Sequence, residues 1–176
     1  MHGPDENNPP EKNTDGGAAN AVAVAAAISQ QLQDTNRTVA VAESLTSGML
    51  ATHLGAAENA SQWFRGGVVA YSAEVKFSLL GVSEGPVISA RCAEQMAAGV
   101  AELMKADFGL AVTGAGGPGE QEGQAQGTVF AAVYDGAETR VTQFAFDGEP
   151  ESVVHAATAG ALQLLLDAQG SVGGGT

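Results

Sequence analysis

The chain has 176 residues, the length of one domain with room for an ordinary core, and its single cysteine, Cys92, rules out an intrachain disulfide. Twenty acidic residues against seven Lys and Arg leave a formal net charge of −13, a field that repels nucleic acid backbones. No apolar run reaches the ~18 residues of a membrane span, and no basic segment precedes an apolar one at the N-terminus. The expectation is a cytoplasmic protein without nucleic acid or membrane partners.

Residues 1–18, rich in Pro, Asn, Gly and acid, have almost nothing to bury and read as a disordered tail. The folded unit is expected over residues 19–168, and a second flexible tail over 169–176. Ala19 to Gln33 has apolar positions spaced for one buried helical face. Arg37 to Ala42 is a β-branched run, followed by a helix over Thr46 to Leu54 that Gly55 stops. Gly67 to Tyr71 reads as a strand and Ala73 to Leu80 as a helix ended by Gly81. Ser89 is placed to cap the long helix ARCAEQMAAGVAELMKA. Phe108 to Val112 is a strand running into a glycine loop. Thr128 to Tyr134 and Thr139 to Phe146 form a hairpin across Asp135-Gly136, and Glu151 to Leu166 is the last helix. Strands alternating with helices predict an α/β three-layer sandwich, and the final hairpin makes its β-sheet mixed, with helices on both faces. Ligands in such sheets sit beyond the carboxyl ends of strands, which here means the loops after Ala42, Tyr71 and Val112.

Three stretches could carry chemistry. In AESLTSG, Ser44 stands at a strand-to-helix turn, where its hydroxyl either faces a crevice as a nucleophile or, like Thr46, only caps the helix. Among the histidines, His2 is in the tail, His53 lies across a helix from Ser44, and His155 has no motif around it, so a Ser-His-Asp arrangement has little support. Lysine is the other base used with serine, provided burial or a nearby cation lowers its pKa. Lys76 is the candidate in GGVVAYSAEVK, against a simpler role as a salt-bridge partner of Glu74 or Glu43. Tyr71 could orient it or fill the core. The third stretch, AVTGAGGPGEQEGQAQGTV, presents backbone N–H groups that could hold a phosphate or carboxylate without cations. It is neither a P-loop nor a dinucleotide fingerprint. No group of His, Cys, Asp and Glu has metal spacing.

Taken in order, AESLTSG, FRGGVVAYSAEVKFSLLGV and AVTGAGGPG…GTV resemble the CinA C-terminal domain family, whose members include nicotinamide mononucleotide deamidases. The resemblance runs from about Val39 to Val133, more loosely through the last helix, and leaves out the long N-terminal domain of full-length members. It implies Ser44 as nucleophile, Lys76 as general base and Tyr71 beside them. It further implies substrate contacts from Glu43, Thr46, Ser47, Gly48, Thr113, Gly114, Gly116, Gly117, Gly127 and Thr128. The implied reaction is amide hydrolysis of a small nucleotide, with no cofactor or metal, in a homodimer. The chain departs from the family pattern where Leu45 and Ser47 replace a cysteine and a glycine, and where Ala73 replaces an asparagine. It lacks the lysine before Gly127, and Pro150 and Val154 stand where basic residues are expected. The dyad is intact while phosphate-binding cations are missing. That leaves open an amidase with another substrate, or a nucleotide-binding module without turnover.

Overall fold

The computed structural model describes residues 15–171; of the tails expected at 1–18 and 169–176, residues 1–14 and 172–176 lie outside the described residues. In chain order the elements are α1 (Asp15–Thr35), β1 (Val39–Glu43), α2 (Met49–Gly55), α3 (Ala60–Trp63), β2 (Phe64–Val69), α4 (Ala73–Leu80), α5 (Ala90–Met104), β3 (Phe108–Gly114), β4 (Thr128–Tyr134), β5 (Thr139–Ala145) and α6 (Pro150–Gly170). The five strands form one sheet in the order β2-β1-β3-β4-β5. β1 pairs in parallel with β2 and β3, whereas β3–β4 and β4–β5 are antiparallel, so the sheet is mixed as expected.

Strand alternation divides the central residues between two cores. Val39, Val41, Leu110 and Val112 point to the face covered by α1, α2, α3 and α6, where Ile28, Leu32, Leu50, Trp63, Leu162 and Leu165 are buried. Ala40, Ala42, Ala111 and Ala132 point to the opposite face, covered by α4 and α5. Small residues on that face let α5 approach closely: a Cβ on Gly109 would collide with the Ala97 carbonyl, and one on Gly99 with that of Leu80. On α5, Cys92, Ala93, Met96, Ala97, Val100 and Ala101 form the buried stripe, and Ser89 caps the helix by accepting from the Cys92 amide at 3.1 Å.

Several boundaries differ from the sequence reading. β2 begins at Phe64 and ends at Val69, earlier than the strand expected over 67–71, because its register with Val39–Glu43 starts at Phe64. Gly67 is inside the strand, where a Cβ would stand 2.5 Å from the Val41 side chain. A one-turn helix, α3, was not expected, and α1 and α6 extend to Asp15 and Gly170, into residues read as tails. No helix among the described residues is long and apolar enough to cross a membrane.

Candidate active site

The turn after β1 starts from Glu43, which is 1% exposed. Its carboxylate accepts from the amides of Leu50 (2.9 Å) and Ala51 (3.0 Å) and from the Thr46 hydroxyl (2.7 Å). A buried charge is tolerable only with such partners, and here they are the otherwise unpaired donors at the start of α2. The helix expected from Thr46 therefore begins only at Met49. Residues 44–48 form a tight turn, with Ser47 (φ 48°) and Gly48 (φ 102°) in left-handed conformations. Neither Ser44 nor Thr46 caps α2, because Glu43 does so from the strand. The Ser44 amide donates to the Val112 carbonyl at 3.1 Å, which fixes the backbone and leaves the hydroxyl for another partner.

That partner comes from α4. Ser72 caps this helix by accepting from the Val75 amide, and Lys76, one turn on, is turned inward and only 1% exposed. Its Nζ stands 3.0 Å from Ser44 Oγ, 2.7 Å from the Ala70 carbonyl and 3.3 Å from that of Tyr71. A neutral amine has two N–H donors and one lone pair. With the two carbonyls taking the donors, the lone pair is left for the serine proton. Burial lowers the Lys76 pKa from its ordinary 10.5, opposed by the nearby Cys92 and Glu122 side chains. The alternative of a salt bridge with Glu43 or Glu74 is not what forms: among the described residues the only acid–base pair within 4 Å is His155 with Glu151, at 3.8 Å. Burial likewise raises the Cys92 thiol, to about 11, so it stays a protonated core residue.

Ser44 and Lys76 open on a cavity of about 640 Å³ at the carboxyl ends of β1 and β3. Of the other expected contacts, Tyr71, Thr113, Gly114, Gly116 and Gly117 line it. Tyr71 is 71% exposed, and its carbonyl rather than its phenol meets the lysine. Thr113 donates its hydroxyl to the Val87 carbonyl at 2.7 Å. Glu43, Thr46, Ser47, Gly48, Gly127 and Thr128 do not line the cavity. Gly127 is instead required by packing: its φ is 90°, its amide donates to the Ala115 carbonyl, and a Cβ would collide with the Phe146 carbonyl. Among the described residues the amides of Leu45, Thr46, Gly116 and Gly117 donate to no protein acceptor. Leu45, Gly116 and Gly117 also line the cavity, so their amides are available to a negatively charged group.

Residues outside the expected set complete the walls. Leu45 and Met49 come from the serine turn, Val87 and Ile88 from the α4–α5 connection, and Gln121 from the glycine loop. Pro150, Glu151, Val154 and His155 come from α6. Their spacing is that of one helical stripe, a signal visible in the chain, although nothing there says which stripe faces a ligand. Pro150 and Val154 are the two positions expected to be basic, so the cations missing there are missing from the wall itself. Among the lining residues only Lys76 and His155 can carry positive charge. No group of three or more His, Cys, Asp or Glu among the described residues is placed to hold a metal ion.

The CinA C-terminal domain family matches residues 21–169. A CinA-like protein of Frankia casuarinae is 46% identical over 116 residues, covering 62% of this chain and 27% of that protein. The chain spans only 27–32% of the length of the curated relatives it matches. Among solved structures, the competence-damaged protein (CinA) superfamily protein from Escherichia coli superposes with a TM-score of 0.81 at 32% identity, over 93% of this chain and 99% of that one. The competence or damage-inducible protein from Enterobacter asburiae gives 0.82 at 30% identity, over 85% and 98%.

Proposed function

The chain belongs to the CinA C-terminal domain family, and from that premise we propose that it is an amidohydrolase that cleaves the carboxamide of nicotinamide mononucleotide. The observation that carries this reading is the Lys76 amine, buried, held by two carbonyls and 3.0 Å from the Ser44 hydroxyl. A surface lysine would be charged and could not accept a proton; this one is lowered by burial.

As Ser44 Oγ attacks the carboxamide carbon, its proton passes to Lys76 Nζ. The oxyanion that forms is held by the amide of Leu45, directly after the serine. Collapse breaks the C–N bond, and the leaving nitrogen takes the proton from Lys76 to depart as ammonia. Water then attacks the acyl-serine, giving its proton to Lys76, which returns it to Ser44 as the ester bond breaks. The products are ammonia and nicotinic acid mononucleotide. Tyr71 serves this cycle through its carbonyl, which helps orient the amine. The amides of Gly116 and Gly117 hold the phosphate in place of the missing cations.

A second reading is favoured by the lining itself: with Pro150 and Val154 in the wall, an amide carrying no phosphate fits the same dyad. Ammonia release from the mononucleotide, wild type beside Ser44→Ala, tests the first reading. Release should fall on the order of 10³-fold or more in the variant. Wild type that binds the mononucleotide without releasing ammonia is a binding module. Wild type that ignores it but hydrolyses an uncharged carboxamide supports the second reading.

A further inference from the structure

The connection between α4 and α5, residues 81–89, has no helix or strand of its own, yet it supplies one wall of the cavity through Val87 and Ile88. Its first half is tied to α5: the Ser83 amide donates to Gln95 Oε1 at 2.9 Å, and Gln95 Nε2 donates to Ser83 Oγ at 3.1 Å. Its second half is tied to the other side of the cavity. The Glu122 carboxylate, in the glycine loop, accepts from the amides of Val87 (3.0 Å) and Ile88 (2.8 Å). The Val87 carbonyl in turn accepts from Thr113 Oγ1. Both polar groups of the Val87 peptide unit are thus held by side chains from β3 and the loop after it, doing what a neighbouring strand would otherwise do. Ile88 belongs to the same apolar cluster as Ala70, Leu80 and Cys92.

We infer that Glu122 is a positioning residue: by clamping Val87 and Ile88 it holds shut the wall that keeps water from the Ser44–Lys76 pair. This rests on the amidohydrolase reading for its kinetic consequences, though not for its structural one. Glu122 acts in two opposed ways. Its hold on the wall preserves the burial that lowers the Lys76 pKa, while its negative charge raises that pKa. The other ionisable groups around the amine are Cys92 from α5 and Glu43 at the end of β1. Tyr71 and Glu74 come from the same segment as the lysine, and Glu151 and His155 from the α6 wall.

The test compares Glu122→Gln with Glu122→Ala. Both lose the charge, but glutamine keeps one acceptor for the Val87–Ile88 amides and alanine keeps none, so their difference isolates the clamp. Two readouts are taken: the pH profile of ammonia release, with kcat and KM, and the direct NMR titration of the Lys76 side chain, one of three lysines in the chain. Activity requires neutral Lys76, so it rises with pH through that pKa. Glu122→Gln should move the acid limb to lower pH by roughly half a unit with little change in KM. Glu122→Ala should place the limb at least as far on the alkaline side of the glutamine variant, with KM raised about 10-fold as the wall loosens. Superimposable profiles and titrations for the two variants would overturn the clamp. If wild type releases no ammonia, the NMR titration decides the same question and only the catalytic reading falls. Should Glu122→Ala not fold, Glu122→Asp replaces it: the charge stays, the reach is one methylene short, and the limb should move alkaline of wild type.

Discussion

β1 and β3 lie side by side in parallel, so the loops that leave their carboxyl ends enter the same cavity, but the two are built in opposite ways. The serine turn is organised around one buried carboxylate, Glu43, which satisfies two amides and a hydroxyl at the start of α2. The glycine loop is held from outside by side chains at its far end. Gln126 Oε1 accepts from the Gly119 amide, and its Nε2 donates to the Gly148 carbonyl, both at 3.0 Å. In the first loop the Ser44 hydroxyl meets Lys76, and the amides of Ser44, Ser47 and Met49 are paired with backbone carbonyls. In the second, the amides nearest the cavity are left open. Bond making needs atoms fixed to within tenths of an ångström, and recognition tolerates more. The two loops divide those tasks.

The division is tested most severely at the lysine. Lys76→Arg keeps the length but carries a permanent charge and cannot accept a proton, so turnover should fall about 10²–10⁴-fold while mononucleotide affinity by calorimetry holds. Substantial turnover in this variant would make Lys76 a fixed cation. Next in size is Glu43→Ala, which strands the Leu50 and Ala51 amides. It should lower stability in urea unfolding on the order of 3 kcal/mol. A smaller effect is expected from Gly117→Ala in the other loop. There φ is 91° and a Cβ would stand 2.6 Å from Gln126 Cδ. Ligand affinity should drop about 10-fold for about 1–2 kcal/mol of stability, the reverse of the Glu43 pattern. If Gly117→Ala instead abolishes turnover at saturating ligand, the loops do not divide their tasks. The smallest change is Ser47→Gly, which relieves a left-handed serine (φ 48°) and should alter stability by no more than about 1 kcal/mol, without affecting kcat.

The same contrast explains what was legible in the sequence. Alternating β-branched runs and amphipathic stretches carry local information, so the mixed sheet and its helices could be read from them. Ser44 and Lys76 were legible through resemblance, and through the lack of any better-placed histidine. Glu43 was legible only as a neighbour of the serine. That its carboxylate caps a helix seven residues on depends on Ser47 taking a left-handed conformation, which a serine does not announce. β2 was placed late, from Gly67 onward; Gly66 and Gly67 are both strand residues, and at Gly67 Val41 leaves no space for a Cβ. Gly127 was read as a ligand contact because glycine serves close approach to a ligand and close approach to another backbone equally well, and here the neighbour is Phe146. Of the α6 wall, positions 150 and 154 were legible only through the resemblance; Glu151 and His155 were missed because a helical period gives spacing and not azimuth, and only the fold turns their face to the cavity.

The enclosure of Lys76 also governs how the molecule answers to reagents in solution. A lysine of lowered pKa is intrinsically more reactive toward acylating and reductive-alkylating labels, and by that measure Lys76 would be modified before the exposed Lys105. Yet its nitrogen is buried among two carbonyls and a hydroxyl. Lys105 therefore labels before Lys76, which stays silent until the fold opens. Its labelling rate reports on unfolding of α4, and an electrophile that enters the cavity meets the serine first.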